Sequence, residues 1–134
     1  MACRISEIVV EARDPERLAA FWAEVLGYVV IGREGNAVEI GPPDTGFGGP
    51  QPTLVFDRTN DAPRVKLPLH LDVNPTDRDQ EDELARLLAI GARHADVGQT
   101  GDESWYVLAD PEGNEFCLLR RRIDPVSQRA RGPR

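Results

Sequence analysis

Apolar residues between Asp14 and Gly27 follow a helical spacing. They recur every three or four positions and so share one helix face: Leu18, Phe21, Trp22, Val25 and Leu26. Asp14 before Pro15 is a typical helix start, and Gly27 can end the helix in the left-handed conformation. The pattern predicts an amphipathic helix that packs its two aromatic rings into a core.

Short apolar runs around this helix predict strands. A strand is expected before it at residues 5–10, and three after it at 28–31, 36–40 and 53–56. Residues 32–35 are expected to form a turn. The Gly- and Pro-rich segment 41–52 is expected to form a loop, with Phe47 at its middle.

The same order of elements then occurs again. A strand is predicted at 67–73, a helix at 83–90 that stops at Gly91, and strands at 94–97, 104–108 and 114–120. Gly27 and Gly91 are 64 residues apart, so the chain contains two βαβββ modules, at about 4–58 and 65–122. We expect one α+β domain over residues 1–122 and a basic flexible tail over 123–134.

Composition is that of a globular protein, with 40% hydrophobic and 29% charged residues. The net charge is −7, and the segment 120–134 holds six arginines and one aspartate, so residues 1–119 carry −12. Such an acidic body repels phosphate backbones and anionic membranes, which argues against nucleic-acid and membrane partners. The chain has neither a long apolar run nor a signal-like start, and two isolated cysteines, so we expect a cytoplasmic protein with reduced thiols.

Three segments together resemble a known family: DPERLAAFWAEVLGY at 14–28, LHLDV at 69–73 and ADPEGNEFCLL at 109–119. They are similar to the vicinal oxygen chelate superfamily, which includes glyoxalase I, bleomycin-resistance proteins and extradiol dioxygenases. The FW pair and the EFC ending resemble its glyoxalase-like subgroup. The resemblance implies two βαβββ modules forming a curved mixed sheet around a cleft, a small-molecule ligand in that cleft, and a homodimer.

Metal ligands in this superfamily lie on the first and last strands of each module. The corresponding positions here are Glu7, His70 and Cys117, with Val55 where a fourth ligand would stand. The resemblance implies a carboxylate at the place of Cys117. A carboxylate, an imidazole and a thiolate could hold Zn²⁺ with an open fourth position, whereas Mg²⁺ and Mn²⁺ prefer oxygen. Because the pattern is incomplete, we predict no resident metal, with zinc as the alternative.

Further candidate ligand-binding residues are polar or aromatic. His70 and Asp72 alternate with apolar residues and should share the cleft face of a strand, as a ligand contact or a general base, or simply as a polar surface. Trp105 and Tyr106 should lie on opposite faces of a strand, and either could stack on a flat ligand. Phe47 could act as a lid aromatic. His94 is expected at the surface.

Three functions remain open. We favour a metal-independent protein that binds a small cationic or aromatic molecule, as the likeness to bleomycin-resistance proteins implies. The alternative is a divalent-metal-dependent lyase or isomerase, in which the metal polarises a substrate oxygen. The third is a dimeric domain that serves only interaction with another chain.

Overall fold

Each half of the chain folds as a four-stranded mixed sheet with one helix. The computed structural model describes residues 2–62 and 66–125. Contacts divide the chain into a first unit, Met1–Ala62, and a second unit, Pro63–Arg134. The described residues of both units have the order βαβββ, which confirms the predicted repeat and the α+β class.

The first unit contains one long helix packed on its sheet. Its elements are β1 (Glu7–Ala12), α1 (Pro15–Leu26), β2 (Val29–Glu34), β3 (Ala37–Gly41) and β4 (Thr53–Arg58). The strand order is β1-β4-β3-β2, with β1 parallel to β4 and the other pairs antiparallel.

The predicted signals at both ends of α1 are confirmed. The Asp14 side chain accepts a hydrogen bond from the Arg17 N–H at 3.2 Å, and Gly27 has φ 68°. The apolar face of α1 is buried as expected, including Phe21 and Trp22, whose rings meet edge to face at 5.6 Å.

The second unit repeats this topology with shorter strands. Its elements are β5 (Leu71–Val73), α2 (Gln80–Ala89), β6 (Arg93–His94), β7 (Tyr106–Ala109) and β8 (Glu115–Leu118). The order is β5-β8-β7-β6, with β5 parallel to β8. The core is apolar and fully buried, made by Leu87, Leu108, Phe116 and Leu118.

Several predicted boundaries in the first unit and at α2 were wrong for local reasons. β2 continues to Glu34, through the expected turn, because a bulge between Val30 and Gly32 keeps it paired with β3. α2 starts at Gln80 rather than at residue 83, because Asp79 caps it by accepting the Asp82 N–H at 2.9 Å.

The strands of the second unit are shorter than predicted. β5 begins only at Leu71, since Pro68 lacks an N–H and the flanking Leu67 and Leu69 are exposed rather than in the core. β6 ends at His94, before a turn in which Asp96 accepts the N–H of Gly98. Most of the predicted basic tail, residues 126–134, lies outside the described residues. No helix in the described ranges is long and apolar enough to cross a membrane.

Candidate functional site

The strand register of the second unit puts three residues in one row across the sheet. Asp72 of β5 pairs with Cys117 of β8, which pairs with Val107 of β7. The neighbouring row contains Phe116 and Leu108, which are fully buried in the core. Because side chains alternate along a strand, Asp72 and Cys117 point to the face opposite that core.

His70 joins this row from the segment just before β5. Its Nε2 lies 3.1 Å from Oδ1 of Asp72, and both side chains are about half exposed. Ligand atoms of His70, Asp72 and Cys117 all lie within 4.8 Å of one another. We call these three residues the His-Asp-Cys cluster. It is the one such convergence of His, Cys, Asp or Glu residues within 2–62 and 66–125.

The surroundings of Cys117 favour its neutral thiol. Burial raises the pKa of Cys117, and the negative charge of Asp72, a hydrogen bond between thiol and carboxylate, and the charge of Glu115 raise it further. Within the cluster, the imidazole of His70 and the thiol of Cys117 therefore both approach the Asp72 carboxylate.

The donor types of the cluster also fit zinc. An imidazole nitrogen, a carboxylate oxygen and a thiolate sulfur are all zinc ligands, and three protein ligands leave one position open. A divalent cation would counteract the charge of Asp72 and favour the thiolate. The sequence analysis assigned Asp72 to ligand binding and not to metal binding. Its spacing of two residues from His70 nevertheless already placed both side chains on the same face of the chain.

Glu7, the third predicted metal ligand, belongs to the first unit. It starts β1 and pairs with Thr53 of β4. The registers of the two units correspond: Val9 pairs with Val55 as Asp72 pairs with Cys117. Glu7 and His70 therefore hold equivalent positions in the two units, and so do Val55 and Cys117. The first unit has two valines where the second has the carboxylate and the thiol.

A second feature of the second unit is an open groove of about 660 Å³. Its walls are the start of α2, the end of β6, β7 with the segment before it, and Arg120 just after β8. Seven of its lining residues have an ionisable or aromatic side chain: Asp79, Glu81, His94, Glu103, Trp105, Tyr106 and Arg120. We call this the aromatic groove.

Hydrogen bonds fix the walls of the aromatic groove. The Tyr106 hydroxyl donates to Oε1 of Glu81 at 2.5 Å, and this bond raises the pKa of Tyr106. The Gln80 amide donates to the carbonyl of Ser104 at 2.8 Å and, more weakly, to that of Leu118 at 3.2 Å. α2 is thus tied to the strands beside it.

The loop before β7 contributes Glu103 and Trp105. Glu103 accepts hydrogen bonds from the backbone N–H groups of Thr100 and Gly101 and from the Thr100 hydroxyl. These bonds lower the pKa of Glu103, and the bond from the Thr100 N–H has the largest effect. Trp105 was predicted to lie in a strand, but β7 begins only at the next residue. Trp105 is 44% exposed.

His94 is exposed as expected but also lines the groove, a role that sequence reasoning missed. Its ring centroid is 6.3 Å from that of Tyr106 at an interplanar angle of 69°. The β6–β7 register pairs His94 with Leu108, two residues along β7 from Tyr106. His94 precedes an irregular segment, so no periodic pattern in the sequence indicated its contact with Tyr106.

Phe47, the predicted lid aromatic, lies in a tethered loop of the first unit. Its side chain is 59% exposed, between Gly46 and Gly48, which both have positive φ. Nη2 of Arg4 donates to the carbonyls of Gly48 and Gly49 at 3.0 and 2.7 Å. These bonds hold the tip of the loop while Phe47 remains accessible.

Comparisons with solved structures agree on the fold. A glyoxalase/bleomycin resistance protein/dioxygenase family enzyme from Burkholderia phytofirmans is 21% identical, with a TM-score of 0.59 over 84% of this chain and 94% of that one. The fosfomycin resistance protein FosX from Mesorhizobium loti is 14% identical, with a TM-score of 0.63 over 88% and 92%.

FosX from Listeria monocytogenes, solved as a mutant with Mn(II) and 1S,2S-dihydroxypropylphosphonic acid, gives a TM-score of 0.67 at 14% identity over 97% of this chain and 99% of that one. None of the curated protein sequences matches this chain. The sequence matches the glyoxalase-like domain family over residues 7–119. With this match and the shared fold, the chain belongs to the glyoxalase-like domain family, within the vicinal oxygen chelate superfamily.

Proposed function

We propose that this protein binds a small, flat organic molecule in the aromatic groove and needs no resident metal to do so. The observation that carries the proposal is the groove itself, which combines a volume of about 660 Å³ with the rings of Trp105 and Tyr106. Ligand sites are concave, span about 300–1,000 Å³ and combine aromatic surface with a few polar groups. The groove matches this description in volume and in its two aromatic side chains, and most of its other lining residues are polar or charged.

The groove is held ready for a ligand by contacts between its own walls. Glu81 fixes the Tyr106 hydroxyl, and Gln80 fixes the backbone at Ser104. A pre-formed wall reduces the entropy lost on binding. Trp105 is largely exposed and has the most ring surface to bury against a ligand.

Fluorescence titration tests this proposal, because Trp105 is one of only two tryptophans and the other, Trp22, is buried in the first unit. A set of flat bicyclic compounds should quench the exposed tryptophan with saturation. Because the variants lack this reporter, calorimetric titration compares their affinities with that of the unchanged protein: Trp105→Ala should weaken binding about ten-fold, in line with the loss of one stacking partner, and Trp105→Phe should retain most of it. Equal affinities of all three proteins would contradict the proposal.

A metal-dependent lyase or isomerase is the second candidate, and the His-Asp-Cys cluster favours it. His70, Asp72 and Cys117 would hold the ion, and a bound divalent ion would supply a Lewis acid for a substrate oxygen. In the chain itself, Asp72 orients the imidazole of His70 through their 3.1 Å contact.

Elemental analysis of protein purified without tag or chelator separates the two candidates. The metal-free candidate predicts less than about 0.1 equivalent of any divalent metal per chain. It also predicts that dialysis against a chelator leaves the folded state unchanged. The metal-dependent candidate predicts close to one equivalent, lost in both His70→Ala and Cys117→Ser. His94→Ala is the matched control, since His94 lies outside the cluster and should leave metal content unchanged.

We also propose a cytoplasmic homodimer, as the family resemblance implies. Exposed apolar residues are available for an interface at the β1 edge of the first sheet, where Val9 is 57% exposed and Ile5, just before the strand, is 72% exposed. Sedimentation equilibrium would test this: a mass of one chain at micromolar concentration would reject the dimer. The interaction-only function ranks behind both candidates, since the aromatic groove stands open.

A further inference from the structure

The charge of the aromatic groove points to the class of its ligand. Three carboxylates line it, those of Asp79, Glu81 and Glu103, against the single guanidinium of Arg120, for a formal net charge of −2. Glu103 is held ionised by the backbone N–H groups that it accepts. A groove with low-dielectric walls and an excess of one sign concentrates ligands of the opposite charge.

The aromatic rings favour the same sign of charge. Trp105 and Tyr106 line the groove, and the faces of such rings attract cations. The hydrogen bond from the Tyr106 hydroxyl to Glu81 draws the phenolic proton toward the carboxylate and leaves the ring richer in electrons. Tyr106 is therefore a stronger partner for a cation than a tyrosine bonded to water.

Two features oppose a cation and are weaker. The N-terminus of α2 carries a partial positive charge worth about 0.3–1 kcal/mol toward an anion, but Asp79 already caps it and Glu81, Asp82 and Glu83 follow in the first turn. Solvent screens the charge of the exposed Arg120, and equally those of the exposed Asp79 and Glu81, so the sign of the groove rests on number, three carboxylates against one guanidinium. Glu81 uses one oxygen for Tyr106 and can accept further hydrogen bonds, since a carboxylate offers about four lone-pair sites.

We propose that the ligand of the aromatic groove is an organic cation, a protonated amine or quaternary ammonium group joined to a flat ring system. The ring stacks on Trp105, and the charge lies against the Tyr106 ring beside the Glu81 carboxylate. The inference rests on the proposed function, that the groove binds a small molecule, and adds the sign of its charge.

Three bicyclic probes of similar size test the inference on the full chain: the cation N-methylquinolinium, the neutral N-methyl-2-quinolone and the anion 1-naphthoate. Calorimetric titration at low salt should give an affinity about ten-fold higher for the cation than for the neutral probe, and weaker binding still for the anion. Added salt should reduce the preference, because it screens the carboxylates.

Glu81→Gln is the discriminating variant, because glutamine keeps an acceptor for the Tyr106 hydroxyl and removes only the charge. Affinity for N-methylquinolinium should fall about five-fold, with the neutral probe unchanged. Asp82→Asn is the matched control: it removes a charge from the same helix turn, does not line the groove, and should change neither affinity.

The outcomes separate the two proposals. If the neutral probe binds as tightly as the cation, or if Glu81→Gln weakens both probes alike, the cation inference is overturned while the groove remains the binding site. If no probe binds at millimolar concentration, or if Trp105→Ala leaves the binding of every probe unchanged, the proposed function itself is overturned and the inference with it.

Discussion

The turn that leads into β8 depends on one buried carboxylate, Asp110, which is 1% exposed. Its Oδ1 accepts the backbone N–H groups of Glu112 and Asn114, both at 2.9 Å, and its Oδ2 accepts the Asn114 side-chain amide at 2.9 Å. Asp110→Ala removes all these acceptors at once. Since Cys117 follows three residues after Asn114, the turn also positions the His-Asp-Cys cluster.

The cost of this substitution follows from the lost hydrogen bonds. A bond to a charged group contributes about 1.5 kcal/mol or more, so two backbone N–H groups without their acceptor cost about 3 kcal/mol. Glu112 and Asn114 are half-buried, and water reaching their N–H groups reduces this to about 2 kcal/mol. Asp110→Asn keeps one acceptor but turns an NH₂ group toward the Asn114 amide, a repulsive pair that should cost about 1 kcal/mol.

Urea unfolding followed by circular dichroism measures these differences. With a slope of about 2 kcal/mol per molar urea, Asp110→Ala should lower the midpoint by about 1 M, and Asp110→Asn by about half as much. Glu112→Gln is the control, since the turn uses only its backbone N–H. A loss below about 0.5 kcal/mol for Asp110→Ala, or an equal loss for both variants, would refute the hydrogen-bond argument.

Two predictions concern ionisation. Because Asp72 adds to the effect of burial in raising the pKa of Cys117, Asp72→Asn should lower that pKa and speed the labelling of Cys117 by iodoacetamide at pH 8. Mass spectrometry of the labelled peptides measures the rate, with the exposed Cys3 as internal control. An unchanged rate would reject the electrostatic coupling between Asp72 and Cys117. The hydrogen bond to the Glu81 carboxylate raises the pKa of Tyr106, so Glu81→Ala, which removes the acceptor, should move one tyrosine titration at 295 nm to lower pH, and an unmoved titration would exclude the Tyr106–Glu81 bond in solution.

Local signals predicted much of the fold. The start of α1 at Asp14 and Pro15 and its end at Gly27 depend on backbone chemistry that a few residues determine. The repeated order of elements was visible because each unit contains one helix that stops at a glycine. Boundaries in the second unit were harder, since Trp105 and the residues before β5 have strand-like composition but no strand partner in the described chain.

The candidate sites likewise include one part that the sequence predicted and one part that it did not. The resemblance to the superfamily, carried over position by position, implied that His70 and Cys117 belong to one site, and their ligand atoms do lie close together. The aromatic groove could not be predicted, since residues near 80, 94, 105 and 120 meet only through the packing of α2 on the sheet. Such contacts depend on tertiary structure and leave no periodic pattern in the sequence.

The matching registers of the two units have a consequence for protein engineering and for divergence after gene duplication. Val9 and Val55 stand where Asp72 and Cys117 stand, and Glu7 where His70 does. Three substitutions, Glu7→His, Val9→Asp and Val55→Cys, would place the same three side-chain types at the corresponding sequence positions of the first unit. In a duplicated architecture of this kind, one copy can lose or gain chemistry while the other preserves the scaffold.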